Sequence, residues 1–504
     1  MELPSGALAR SASALAPTWL VGARPGRASA AIARRHGAAQ IDAGAYEIDT
    51  RRARGLATAL RERGLLVFAE PNRPVALRQA GVADDPLSKD ARWRDFVVES
   101  TLIPPPVTPE SPLLAVIDSK IDLNHPEFVG GSVGTDAGET LGNEHGTATT
   151  AVAAAPKNDV GILGIWPGMR AINVPLPSEQ ISCGDSARQI VRAVALQAAV
   201  INMSYGSPDA CFTEYVALQR ATKAGVTLVA ASGNEFDQGN KEQFPASLPH
   251  VLTVAAITPK SEAAFFSNAN AGVDLAAPGI GILTAVPVSL DVADGTQDGY
   301  TGVSGTSFAA PMVAAAAAWV RAVRPDLSVD QVGQVMRLSA RDVGAPGYET
   351  STGFGVLDVK SALAKAPPAR DPREPNEDIV WVDGRAFGRP AQAIARGTTL
   401  NALIDAYEDP RDVYRLRVPA RSRLTVTTTP RFGNPDLAIF DRRATAVSQR
   451  SRLIAASTRG GSRKTDRVTV RNRGSRATTA YVVVVLDRSG GTLDAGYKLT
   501  VRKG

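Results

Sequence analysis

The sequence is poor in cysteine and histidine, with two cysteines and four histidines among 504 residues. This scarcity excludes a disulfide-dense scaffold, and the spacing of the two cysteines does not suggest a metal site. The cysteines, Cys183 and Cys211, lie in the same region of the chain. Two alternatives stay open for them: one loop-closing disulfide in an oxidising compartment, or two buried free thiols.

Long apolar runs are also missing. The stretch Ala314–Ala318 is followed by Arg321, whereas a membrane-spanning helix needs about 20 predominantly apolar residues. We therefore expect no membrane span. The segment Met1–Pro17 lacks the apolar core and the preceding basic patch of a signal peptide, so we expect a disordered or remnant leader over residues 1–17.

Lysine is absent from residues 1–78, where arginine supplies every basic side chain. The formal net charge of +6 comes from this segment, and the rest of the chain is balanced. No cluster of lysine and arginine with interleaved aromatic residues marks a nucleic-acid surface, so no nucleic-acid partner is expected.

The chain divides into pieces with different patterns. Residues 18–78 read as strand, helix, two strands, helix and strand, which is typical of a small α+β sandwich. Between residues 112 and 366, buried apolar strands alternate with helices, which predicts an α/β domain with a parallel sheet and helices on both faces. After the proline-rich linker 367–376, residues 377–504 contain only strand patterns and predict a β-sandwich. Residues 79–111 connect the first piece to the parallel-sheet domain.

The segment 305–311 (GTSFAAP) surrounds Ser307 with small residues and opens an alanine-rich helix. Pro311 is tolerated in the first turn, where its missing N–H costs least. Unpaired N–H groups at such a helix start can stabilise a developing oxyanion, so Ser307 is the candidate nucleophile. A serine that only caps the helix is the alternative.

A serine hydroxyl needs a base, and His145 is the best candidate among the four histidines. It stands at the head of a helix of small residues, which would let a partner strand and a substrate approach its ring. His36 ends a helix in the first piece, His125 precedes a proline in a turn, and His250 stands at the entry to a strand.

The base in turn needs a buried carboxylate that fixes its tautomer. Asp118 ends the apolar strand 113–117, at the edge where parallel sheets bind ligands, whereas Asp122 lies beyond the strand end. Asn234 follows another buried strand, and its amide is a candidate oxyanion donor. A plain turn residue is the alternative for both Asp118 and Asn234.

The order Asp118, His145 and Ser307, with the segments around them, resembles the subtilisin-like serine proteases over residues 84–366. The resemblance implies a serine endopeptidase that acts on proteins or peptides through an acyl-enzyme, needs no cofactor for its chemistry and works as a monomer. Structural calcium is frequent in that family, but the sequence does not match its ligands residue by residue. The residues implied to bind substrate are Ser204, Tyr205 and Gly206 on an edge strand, and Ala231, Ser232 and Gly233 on the opposite wall.

The flanking pieces resemble accessory parts of secreted bacterial peptidases. Residues 18–78 are similar to the inhibitor-type propeptide, which implies a zymogen that removes its own inhibitor by a cut between about residues 79 and 112. A permanent accessory domain is the alternative. Residues 377–504 resemble the prepeptidase C-terminal domain. Together these resemblances imply secretion.

Two other functions compete with this hypothesis. An inactive pseudoprotease that serves as a binding module would lack a member of the triad, and all three members are present. A serine esterase would carry the Gly-x-Ser-x-Gly turn, which the nucleophile segment does not contain.

Overall fold

The computed structural model describes residues 18–42, 44–71, 85–136, 143–177, 181–270, 272–292, 295–371, 373–406, 408–459, 464–488 and 493–504. The predicted leader 1–17 and the first part of the predicted connection, residues 79–84, lie outside the described residues.

The N-terminal piece is a four-stranded antiparallel sheet covered by two helices, in the predicted element order. Strand β1 lies between β3 and β4 and pairs antiparallel with both. One hydrophobic cluster formed by residues of this piece alone packs the helices on the sheet. The elements are β1 (Thr18–Ala23), α1 (Arg27–Arg35), β2 (Ala39–Asp42), β3 (Ala45–Asp49), α2 (Thr50–Arg61) and β4 (Leu66–Pro71).

The central domain is an α/β domain around a parallel sheet of seven strands in the order β11-β10-β9-β8-β5-β7-β6. Its sheet and the helices on both faces confirm the predicted fold class. The elements are α3 (Trp93–Val97), β5 (Leu114–Asp118), β6 (Ser132–Thr135), α4 (His145–Ala154), β7 (Arg170–Pro175), α5 (Cys183–Ala195), β8 (Val200–Met203), α6 (Phe212–Lys223), β9 (Thr227–Ala231), β10 (Val251–Ile257), β11 (Leu275–Pro278), β12 (Ile282–Ala285), β13 (Tyr300–Val303), α7 (Thr306–Val323), α8 (Val329–Ser339) and α9 (Val359–Ala364).

Strand β5 shows why this sheet needs helices on both faces. Its side chains alternate between the two faces, since successive residues of a strand point in opposite directions. Leu114 and Val116 join the hydrophobic cluster that contains α4 and α7. Ala115 and Ile117 join the cluster that contains α5 and α6. All four side chains are fully buried, which explains the continuous apolar run in the sequence.

Helix α7 is the central helix of this domain. By length and composition it could cross a membrane, and 78% of it is buried inside the protein. Its small residues let it pack closely against β8, β9, β10 and β11. The burial identifies it as a core helix, and its first turn is thereby held at the edge of the sheet.

The C-terminal piece is a sandwich of two antiparallel four-stranded sheets, β14-β21-β16-β19 and β15-β20-β17-β18, with a hydrophobic core between them. The sequence pattern predicts six of its eight strands and misses β14 and β18. The elements are α10 (Ile379–Val382), β14 (Thr399–Asp405), β15 (Arg411–Val418), β16 (Ser422–Phe432), β17 (Pro435–Phe440), β18 (Leu453–Ser457), β19 (Asp466–Asn472), β20 (Thr478–Leu486) and β21 (Asp494–Lys503).

The predicted linker 367–376 is packed against both neighbouring domains at its C-terminal end. Asn376 is fully buried, and its side-chain oxygen accepts a hydrogen bond from the N–H of Val413 at 2.6 Å. Glu374 lies near His250 of the central domain. The proline-rich composition therefore marks a boundary between domains here, not a free spacer.

Candidate active site

The carboxyl end of β5 and the start of α4 bring Asp118 and His145 together. Nδ1 of His145 lies 2.7 Å from Oδ1 of Asp118. A methyl group at Gly146 would lie 2.0 Å from the carbonyl oxygen of Ser119, so glycine at this position allows α4 to approach the strand end. Asp122, the alternative carboxylate, instead accepts a hydrogen bond from the N–H of Asn124.

Two further hydrogen bonds fix the Asp118 carboxylate. The N–H of Ser119 donates to Oδ1 at 2.7 Å, and the hydroxyl of Thr149 donates to Oδ2 at 3.0 Å. Both carboxylate oxygens are therefore satisfied in a site where the Asp118 residue is 4% exposed. Burial lowers the pKa of His145, but the charge and hydrogen bond of Asp118 outweigh burial and raise the pKa above its ordinary value.

Ser307 lies in the first turn of α7, on the same edge of the sheet. The ring of the next residue, Phe308, stands 5.4 Å from the ring of His145, which places the helix start beside the imidazole. The Ser307 hydroxyl donates to the carbonyl oxygen of Ser204 at 3.2 Å, and the Ser204 hydroxyl donates to the Ser307 carbonyl at 2.8 Å. The structure thus places the first turn of α7 beside His145 and directs the Ser307 hydroxyl to Ser204.

Asn234 is oriented by the residue that precedes Ser307. Its Oδ1 accepts hydrogen bonds from both the N–H and the hydroxyl of Thr306, each at 2.9 Å. Because the oxygen is occupied, the NH₂ group of the side chain is left to donate elsewhere. This NH₂ group lies 3.5 Å from where a methyl group at Gly305 would stand, close to the candidate nucleophile.

The segments predicted to bind substrate lie on either side of α7. Ser204, Tyr205 and Gly206 follow β8, and Ala231 ends β9, followed by Ser232 and Gly233. The Tyr205 hydroxyl is 2.8 Å from the hydroxyl of Ser186 on α5, so its ring points away from solvent into the protein. The N–H of Gly233 donates to Thr306 at 3.3 Å.

Cys183 and Cys211 form a disulfide, with their Cα atoms 6.2 Å apart. The bond joins the first residue of α5 to the residue before α6. Of the two alternatives from the sequence, the structure therefore shows the bonded one. The bond therefore ties the starts of α5 and α6 together.

Sequence reasoning missed a group of buried acidic residues between the central domain and the sandwich. His250, which the sequence placed at a strand entry, contacts Glu377 through Nε2, and its Nδ1 lies 3.4 Å from Asp330. Burial raises the pKa of Asp371 and of Glu374, each to about 8. The sequence does show several acidic residues in and beside the linker 367–376, but such residues are typical of a solvent-exposed segment.

This group also contains the candidate metal ligands. Carboxylate oxygens of Asp371, Glu374 and Asp412 lie within 4.8 Å of one another. Oδ1 of Asp412 and Oδ2 of Asp371 are buried and accept no hydrogen bond from the described residues. An all-oxygen set with unsatisfied buried carboxylates fits the preference of calcium.

Comparison with known proteins places the chain in a family. The family model described as "Subtilase family" matches residues 110–355. The chain is 32% identical to the subtilisin of Bacillus pumilus over 258 residues, which cover 49% of this chain and 90% of that protein. It is 30% identical to the probable subtilase-type serine protease of Deinococcus radiodurans over 318 residues, 59% of this chain and 43% of that relative. The chain belongs to the subtilase family, whose members are serine endopeptidases.

A solved structure of a psychrophilic subtilisin-like protease from an Antarctic Pseudoalteromonas also matches. It aligns with a TM-score of 0.46 and 19% sequence identity, and the alignment covers 50% of this chain and 92% of that one.

Proposed function

We propose that this chain is a serine endopeptidase in which Ser307 is the nucleophile, His145 the general base and Asp118 the carboxylate that orients the base. The observation that carries the proposal is the convergence of the Asp118–His145 pair and the first turn of α7 at one sheet edge. Membership of the subtilase family supports it.

The proposed reaction follows from these positions. Rotation of the Ser307 side chain away from Ser204 brings its hydroxyl to Nε2 of His145, which takes the proton as the oxygen attacks the peptide carbonyl. Asp118 holds the Nδ1–H and stabilises the imidazolium. The Asn234 NH₂ group and the N–H of Ser307 donate to the oxyanion. The amine leaves with the proton from His145, and water then hydrolyses the acyl-enzyme.

The substrate in this proposal is an extended peptide that adds as a strand beside Ser204–Gly206. An inactive binding module would still bind the peptide beside Ser204–Gly206 but would not hydrolyse it. The two functions therefore separate by a measurement of catalysis, not of binding.

The proposal is tested with Ser307→Ala. This variant deletes one oxygen at the site and should lose peptide hydrolysis by at least about a thousandfold while it keeps its melting temperature. Ser304→Ala, three residues earlier, removes a hydroxyl that accepts the N–H of Gly281, its one hydrogen bond within the described part of the chain, and should retain activity. Normal turnover by Ser307→Ala would refute the assignment.

We also propose that residues 18–78 are an intramolecular inhibitor removed by self-cleavage. Residues from Asp85 onward are tied to the central domain: the Trp93 indole donates to Leu283 at 2.9 Å, and the N–H of Leu87 donates to Gly161 at 2.7 Å. The cut is therefore expected before Asp85, in the first part of the range 79–112 predicted from the sequence. Wild type should shorten on a denaturing gel, and Ser307→Ala should stay full length.

A calcium ion is the metal that fits the acidic group between the domains. Asp371, Glu374 and Asp412 would hold it, and a cation bound there would supply charge neutralisation, with no part in the peptide hydrolysis. Secretion fits both this site and the disulfide, because extracellular fluid is oxidising and rich in calcium. We propose that the mature enzyme acts outside the cell as a monomer on protein substrates.

A further inference from the structure

Two segments flank the candidate nucleophile and leave a gap between them. The carbonyl of Ser204 contacts Ser307, and the N–H of Gly233 contacts Thr306. A peptide that places its scissile carbonyl at Ser307 and pairs with the strand ending at Gly206 must direct the side chain before the scissile bond into this gap. The content of the gap therefore decides which side chains are accepted.

Gln243 fills the gap from below. A methyl group at Gly233 would lie 2.6 Å from Cγ of Gln243, and one at Gly206 would lie 3.2 Å from its Cβ and 3.3 Å from its Oε1. One side chain therefore reaches both walls. The residue is 5% exposed, so it lies at the floor and not at the rim.

The floor is polar as well as shallow. The side-chain NH₂ group of Asn268 and the carboxylate of Glu235 lie 2.6 Å and 2.7 Å from the same point at Gly233. The carboxamide of Gln243 has no hydrogen-bond partner among the described residues. Asn268 and Glu235 already have hydrogen-bond partners, in the Lys241 carbonyl and the N–H of Asn234. A large apolar side chain would therefore chiefly cover the carboxamide of Gln243 without offering it a hydrogen bond, which is unfavourable.

The backbone holds Gln243 in place. The next residue, Phe244, exchanges two hydrogen bonds with Ser207, at 2.8 and 2.9 Å, and the N–H of Ser247 donates to the Gln243 carbonyl at 2.8 Å. The strand that binds substrate and the segment that carries Gln243 are thus tied together. The side chain cannot leave the gap through movement of this segment alone.

We infer that this enzyme cleaves after small, uncharged residues such as alanine and serine, and that Gln243 determines this specificity. The inference rests on the proposed function, since it concerns the same site. Small side chains fit above Gln243 without displacing it, whereas phenylalanine or leucine requires the carboxamide to move from a closely packed position.

The test is a panel of peptides that differ only in the residue before the scissile bond: alanine, serine, leucine, phenylalanine or lysine. Wild type should cleave the alanine peptide with a kcat/KM at least about tenfold above that for phenylalanine. Gln243→Gly, and to a smaller extent Gln243→Ala, should raise kcat/KM for phenylalanine at least about tenfold. Glu242→Gly, an exposed neighbour on the same segment, should keep the wild-type preference.

Two outcomes overturn the inference while the protease assignment stands. One is equal cleavage of the alanine and phenylalanine peptides by wild type, which requires no variant to fold. The other is an unchanged preference in a folded Gln243→Gly enzyme. Failure of the proposed function looks different: no peptide is cleaved, and a fluorophosphonate probe does not label Ser307.

Discussion

Thr149 supports the Asp118–His145 pair of the proposed mechanism through one hydroxyl. It is fully buried on α4 and donates to the oxygen of Asp118 that does not face His145. This hydrogen bond fixes the orientation of the carboxylate. It also stabilises negative charge on Oδ2, which reduces the negative charge on Oδ1, the oxygen that contacts the His145 imidazole. Thr149 is therefore a positioning residue, because it acts through Asp118.

We predict that Thr149→Val lowers kcat/KM by about tenfold, because a hydrogen bond to a buried charged group contributes about 1.5–3 kcal/mol. The unshared negative charge on Asp118 should also raise the pKa of His145 further. Since the base works only when neutral, the acidic limb of the pH–rate profile should move to higher pH. A pH profile of kcat/KM measures both effects.

The matched control is Thr150→Val. This hydroxyl is equally buried on the same helix but, among the residues that the structure describes, donates to the carbonyl of Gly146 alone, at 2.7 Å. It should leave the pH profile in place. Equal profiles for the two variants would show that Thr149 has only a structural role.

At the scale of the element, the segment that opens the central domain is held by one buried side chain. Oδ1 of Asp85 accepts the N–H groups of Asn158 and Asp159, at 3.1 and 2.6 Å. Both donors lie in the loop after α4, the helix that carries His145 at its other end. The segment that opens the central domain thus stabilises the loop at the far end of the helix that begins with His145.

We predict that Asp85→Ala destabilises the protein by about 1 kcal/mol, because the partly buried N–H groups of Asn158 and Asp159 lose their acceptor. Because no atom of the active site is altered, kcat should change little at temperatures where the variant is folded. Thermal unfolding followed by residual activity tests this. Asp90→Ala, an exposed acid on the same segment, should match wild type. A large fall in kcat for folded Asp85→Ala would contradict the prediction.

The sequence predicted the elements of the central domain well because burial on both faces of a parallel sheet leaves a continuous apolar signal, as in β5. The position of Asp118, at the end of that strand, followed from the same signal. The sequence missed Thr149 and Gln243, because their roles depend on contacts with residues distant in the chain. Strand β18 was missed since its side chains are at most partly buried, which leaves it without a strongly apolar face.

At the scale of the whole molecule, the central domain and the sandwich share buried charge. Arg337 on α8 is 3% exposed and contacts Asp405 of the sandwich at 2.7 Å and Asp274 of the central domain at 3.3 Å. Nearby, His250 contacts Glu377. If one partner of such a pair were removed, the other charge would stay buried without compensation, which is strongly unfavourable. The two domains therefore stabilise each other through these pairs.

We predict that calcium raises the melting temperature of wild type, and that chelation lowers it, because bound cation would offset repulsion among Asp371, Glu374 and Asp412. Asp412→Asn should reduce this calcium dependence. Calorimetry with and without a chelator measures the shift. Asp326→Asn, an exposed acid of the central domain, should respond to calcium as wild type does. Identical calcium responses of wild type and Asp412→Asn would exclude this site.

The shared charges between the domains also bear on how this architecture can evolve. Accessory domains are often exchanged between proteases, and a free spacer makes such exchange simple. Here a replacement domain would have to supply one carboxylate for Arg337 and another for His250. Without them, these two side chains of the central domain would lose their charged partners at the interface between the domains. The two domains are therefore expected to have been inherited together, with compensating substitutions on both sides of the interface between them.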